Sequence, residues 1–179
     1  MERKRKIKKN KNWILIVVLL AFVISIVMGF FGELILSNVG LTLSIIITLV
    51  FIFLGIVFDI IGVSFTAADI HIFNSMASKK VKGAHLAVRM ISNASRVSSV
   101  CCDVVGDVCG VASGSSGVTI AAILILKLHV NAIIVSSVTT AIISVLTIGG
   151  KAMGKEFAIK KSAFIVEKVC KFLALFVKE

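Results

Sequence analysis

The sequence predicts an all-α integral membrane bundle, four transmembrane helices with amphipathic juxtamembrane helices, and three observations predict it. Hydrophobic residues make up 58% of the chain and the mean hydropathy is +1.08, above the ~45–50% apolar content of a soluble domain. The apolar residues come in runs of about twenty, enough to cross a hydrocarbon layer ~30 Å thick at ~1.5 Å per helical residue. The charged residues gather between these runs instead of alternating with them.

The chain divides into a basic cytosolic tail, residues 1–12, and a single membrane domain, residues 13–179. The first span covers residues 13–36: Trp13 to Gly32 carry no charge, and Glu33 marks the far end. That stretch exceeds the ~7–15 apolar residues of a signal peptide and lacks an A-x-A site, so it reads as a retained helix. A turn at Ser37-Asn38-Val39-Gly40 leads into the second span, residues 41–65, interrupted only by Asp59. The third, residues 97–126, mixes Val, Ile and Leu with Ser, Gly, Cys, Asp103 and Asp107. Lys127 and His129 then mark a turn into the fourth span, residues 130–150. The chain has no proline, so no helix is kinked by one.

Two further segments are too polar to cross and too apolar to stay free of the membrane. In residues 67–95, Phe73, Ala77, Val81, Ala84, Val88 and Ile91 recur at steps of three and four opposite Lys79, Lys82 and Arg89, the pattern of an amphipathic helix that Gly83 divides. In residues 155–177, Lys160, Lys161, Glu167, Lys168 and Lys171 oppose Phe157, Phe164, Ile165, Phe172, Leu175 and Phe176. Both are expected to lie along the inner leaflet, in contact with anionic lipid headgroups.

Seven of the 20 basic residues precede Trp13, five fall between Lys79 and Arg96, one is Lys127, and seven follow from Lys151. With four crossings, Lys127 alone lies outside, and both termini are expected to be cytosolic in a multi-pass protein of the plasma membrane. Topology and lipid attraction account for the net charge of +11, which argues against a nucleic-acid partner.

Asp103 and Asp107 carry the first chemical signal, because an aspartate at mid-membrane costs ~2.5–3.5 kcal/mol on insertion scales. Four residues apart, they share one helical face, beside the small-residue row of Gly106, Gly110 and Gly114. Ser136, Thr140, Ser144 and Thr147 form a hydroxyl stripe on the fourth helix that can face them. Two readings stand side by side. In one, carboxylates, hydroxyls and backbone carbonyls near Gly149 and Gly150 bind a hard cation, Mg²⁺ or Ca²⁺. In the other, the aspartates pair with Lys151 or Arg96 and only fix helix register. Asp59 and Asp69, near the inner boundary, are read as solvated or paired with nearby lysines, and His71 and His85 as interfacial. Cys101, Cys102, Cys109 and Cys170 show no C-x-x-C spacing and read as small packing thiols. The Gly106-Asp107 pair lacks a facing aspartate on a second helix, so an intramembrane protease is not expected, nor another enzyme.

Three stretches carry a resemblance. Phe65 to Ile72, FTAADIHI, is similar to the Phe-Ser-Ala-Ser-Glu-Thr-Ala-Leu signature of the CNNM/CorC (CorB) magnesium transporter family. Arg96 to Gly110, RVSSVCCDVVGDVCG, resembles its Arg-Leu-Leu-x-Thr-x-Leu-x-Gly-Asn-Asn segment, and Gly150 to Val169 resembles its Gly-Glu-Ile-x-Pro-Lys-x-x-Ala segment. The resemblance covers Asp59 to Phe176, about two-thirds of the chain; the first helix is extra, and the family's CBS-pair domain is not expected here. It implies a homodimer that moves Mg²⁺ between its helices, with Thr66 at a cation-binding serine, Asp69 at the family's Glu, and Gly106-Asp107 at the Gly-Asn of the ion site. Lys151 stands where the family has its acidic ligand, and Gly154 where it has a helix-breaking proline. A lysine ammonium at that position can itself take the place of the ion, which makes a non-transporting membrane scaffold the alternative to a transporter or transporter subunit.

Overall fold

The computed structural model describes residues 2–36, 40–128 and 131–175. Ser37, Asn38, Val39, His129, Val130, Phe176 and Val177 of the features above lie outside them. The described residues form α1 (Glu2–Leu36), α2 (Leu41–Ala67), α3 (Ile70–Ser78), α4 (Ala84–Ile91), α5 (Ala94–Ser98), a π-helical segment (Ser99–Gly106), α6 (Asp107–Leu128), α7 (Ala132–Lys160) and α8 (Ser162–Leu173), with no strand among them. Four helical stretches are long and apolar enough to cross a membrane: α1 from Trp13 to Phe30, α2, the run Ala94–Lys127, and α7. The connections from Leu36 to Leu41 and from Leu128 to Ala132 are each a few residues. At ~3.5 Å per extended residue neither can recross ~30 Å of hydrocarbon. The end of α2, the start of α5 and the end of α7 therefore share one end of the bundle with the start of α1. This is the basic end.

α2 sits at the centre, packed against α6, α7 and the π segment, while α1 lies outside on α6 and the π segment. Its outer side chains, Leu15, Val18, Phe22 and Ile26 among them, stay exposed as a lipid-facing surface requires. Trp13 fixes its basic end: the Arg96 guanidinium on α5 stands 5.0 Å from the centre of the indole ring, within cation–π range.

The helix boundaries depart from expectation in three places. The basic tail does not stand apart, because α1 starts at Glu2 and its Lys and Arg residues are good helix formers with nothing to interrupt them. The fourth span does not stop at Gly150 but continues to Lys160. Without a proline nothing removes a ladder hydrogen bond there, and Gly154 permits close contact instead, since a Cβ on it would stand 2.9 Å from Ile60 Cγ1. Residues 67–95 enter three helices, where one amphipathic helix divided at Gly83 was expected. Asp69 caps α3, its carboxylate accepting from the His71 N–H at 2.9 Å. Lys80 (φ 55°) and Gly83 (φ 82°) then turn the chain in left-handed geometry.

The amphipathic helices bury their inner faces in one another instead of lying separately on a surface. Phe65 at the end of α2, Phe73 of α3, Ala87 of α4, and Val166 and Cys170 of α8 form a small core in which none is more than 1% exposed. Each phenylalanine contributes roughly 1.5–3 kcal/mol there. Burial pushes the Cys170 thiol up to about 11, so it stays protonated and unreactive at neutral pH.

Candidate functional site

Polar side chains from three helices meet near the basic end. Lys151 and Lys155, four residues apart on α7, share a face. Lys151 Nζ donates to Asp107 Oδ1 on α6 at 3.0 Å. Lys155 Nζ lies 4.0 Å from Asp59 Oδ2 on α2, an ion pair too long to be a hydrogen bond. Asp59 is 4% exposed, and its Oδ2 has no hydrogen-bond partner among the described residues. Two carboxylates on α2 and α6 thus hold two ammonium groups of α7 between them.

Glycines make the approach possible. A Cβ on Gly106 would stand 3.3 Å from the Cys101 carbonyl oxygen and 3.7 Å from Lys151 Nζ, and one on Gly55 would stand 3.2 Å from Cys109 Cβ and 3.3 Å from the Gly106 oxygen. α2 therefore crosses the end of the π segment backbone to backbone at Gly55 and Gly106, and Lys151 reaches past that crossing to Asp107. One helical turn away, the Cys102 thiol donates to the Asp59 carbonyl at 3.6 Å and contacts the space a Gly62 side chain would fill. The thiols Cys102 and Cys109 thus act in helix packing, and all four cysteines are free.

Beyond the charged cluster, α6 and α7 enclose a cleft of about 160 Å³ lined by Gly110, Ser113, Gly114, Thr140, Ser144 and Thr147 with Ile143 and Ile148. The glycine row and the hydroxyl stripe face each other as their spacing predicts, except that Ser136 lies outside the cleft. Ser113 and Thr147 donate to the carbonyls of Gly110 and Ile143 on their own helices, each at 2.8 Å. Those two hydroxyls keep only their lone pairs to offer a ligand.

Of the residues predicted as ligands, Asp107 and Gly106 lie in this cluster. Asp103, on the π segment, is exposed, as Asp107 is at 68%, but has no basic side chain in salt-bridge range among the described residues. Thr66 is exposed at the end of α2 and donates its hydroxyl to the Val63 carbonyl at 2.7 Å. Gly149 and Gly150, whose backbone carbonyls were expected as oxygen ligands, lie inside unbroken helix, so those carbonyls belong to the helical ladder; Gly150 packs on Ile56. No group of three or more His, Cys, Asp or Glu side chains suited to a metal occurs among the described residues.

Lys155 is the lysine that the sequence leaves unassigned: Asp59 is expected there to be solvated or paired with a nearby lysine, and the structure supplies Lys155. Its signal was the four-residue step from Lys151, opposite the lone acid Asp59 of the second span. No family model, no curated protein and no solved structure matches this chain.

Proposed function

We propose that this chain is a non-transporting membrane scaffold, in which two lysines tethered to α7 take the place that a mobile cation would occupy among intramembrane carboxylates. The observation that carries the reading is the 3.0 Å contact between Lys151 Nζ and Asp107 Oδ1, with Lys155 set against Asp59 one turn further on. A carboxylate in hydrocarbon needs a counter-charge. Here the counter-charge is covalently part of the chain and cannot be carried across. Under this reading the protein sits in the plasma membrane as a homodimer, with its basic end and both termini in the cytosol, as the distribution of lysine and arginine supports.

A second reading, Mg²⁺ transport by a CNNM/CorC-like module, draws on one specific feature: the cleft of about 160 Å³ with Thr140, Ser144 and Thr147 along one wall and the bare backbone of Gly110 and Gly114 along the other. One experiment separates the two. The purified chain is reconstituted into liposomes loaded with a Mg²⁺-sensitive dye, and dye response is followed after external Mg²⁺ is added. The expected result is no flux above empty liposomes in either orientation. Saturable Mg²⁺ entry that falls in Asp107→Asn would reject the scaffold and support the transporter.

A further inference from the structure

We infer that the outer face of α8, with the end of α7, is a binding surface for anionic phospholipid headgroups. Phe164 and Lys168 are four residues apart on α8, which keeps them on one side of that helix, and Phe157 near the end of α7, Lys161 in the break between the two helices and Leu175 just past α8 flank them along the chain. All five are exposed, while the opposite face of α8 is spent on the core around Phe65 through Val166 and Cys170.

The charges on this face are unequal in a telling way. Glu156 is held by Lys160 at 2.6 Å and Glu167 by Lys171 at 2.7 Å, so both acids are neutralised within their own helix. Lys161 and Lys168 have no carboxylate in salt-bridge range among the described residues. Lys168 Nζ instead lies 5.5 Å from the centre of the Phe164 ring, so the cation and the aromatic surface are presented together. Alternating aromatic rings and unpaired ammonium groups match a layer of phosphate headgroups above acyl chains.

Location agrees with chemistry. α7 runs unbroken from its span to Lys160, so Lys161 is about 15 Å along the chain from Lys151 at ~1.5 Å per residue. The headgroup layer is roughly 5–8 Å deep on each side of the hydrocarbon. Phe157, where the face begins, is two residues and about 3 Å of helix rise beyond Lys155 of the charged cluster, so the start of the face falls within that depth of the cluster, and Lys161 lies farther out.

The test uses the full chain in mild detergent with equal amounts of phosphatidylglycerol and phosphatidylcholine, and counts retained lipids by native mass spectrometry. At ~1 kcal/mol per surface lysine, reduced by screening, the wild type is expected to retain phosphatidylglycerol about tenfold over phosphatidylcholine. The Lys161→Gln/Lys168→Gln variant, which touches no buried side chain, should bring that ratio close to one with an unchanged melting temperature. Lys127→Gln, at the other end of the bundle, should leave it tenfold. A wild type without preference, a double variant that keeps it, or an equal loss in Lys127→Gln would overturn the inference. So would displacement of the lipid by polyglutamate at matched charge, which would assign the face to an acidic protein.

Discussion

Lys151 and Asp107 are 44 positions apart in sequence and 3.0 Å apart in space. The pair follows from the cost of an isolated carboxylate in oil. Breaking one side should therefore harm the fold more than removing both. Lys151→Met, which leaves Asp107 alone, is expected to lower stability by more than the double replacement Lys151→Met/Asp107→Leu. The coupling energy from the full cycle should be about 1 kcal/mol, within the ~0.6–1.7 kcal/mol of polar pairs between membrane helices. Thermal melts of the four proteins in one detergent check this, and strict additivity would mean that the contact contributes nothing. The pair was legible because Asp103 and Asp107 demanded a cation and Lys151 was one of two candidates near enough. Arg96, the other, was drawn instead to the Trp13 ring. The Lys155–Asp59 pair was half legible: Asp59 was expected to meet a nearby lysine or water, but which lysine was hidden, because Lys155 falls beyond the point where hydropathy ends the fourth span. Periodicity within one helix also says nothing of its register against another.

Helices here are shaped by where the backbone must come close. Gly62 faces the π segment: a Cβ on it would meet Cys102 Sγ and stand 3.1 Å from Cys101 Cβ and 3.4 Å from Ser98 Cα. Gly62→Leu should therefore push α2 off the segment that carries Asp103, at a cost of about 1–3 kcal/mol from overpacking. Gly29→Leu on the lipid-facing α1, where nothing lies within 4 Å, should change stability by less than about 0.5 kcal/mol. Equal effects at the two sites in thermal melts would show that the α2 crossing does not need its glycine. The four apolar elements were legible from run length alone, and the break at Gly83 from its residue type. The π segment was not, since a 3.6-residue period over Ser98 to Gly106 does not distinguish it from an ordinary turn. The small core around Phe65 was half legible: the sequence marked which faces of α3, α4 and α8 are apolar, but an apolar face fits a membrane surface and a neighbouring helix equally well.

Across the whole molecule, the arrangement of charge makes one statement about sidedness that a single measurement can check. Among the described residues, 18 of the 19 basic residues belong to segments at the basic end, and Lys127 lies alone at the other. Moving the crowded end across a membrane would carry nearly all of that charge through it, so the proposed topology has the basic end in the cytosol. The protein's own thiols are replaced first, because Cys101, Cys102 and Cys109 lie within a span and Cys170 in the small core around Phe65. In that background, Lys127→Cys and Lys80→Cys each add one reactive site at an exposed position. A membrane-impermeant maleimide applied to intact cells should label the Lys127→Cys protein and reach the Lys80→Cys protein only after permeabilisation. The reverse pattern would invert the topology and place the lysine-rich face of α8 outside, away from the anionic leaflet. Labelling of both in intact cells would mean that α5 to α6 does not cross, and the carboxylate of Asp107 would then need no lysine to hold it in oil.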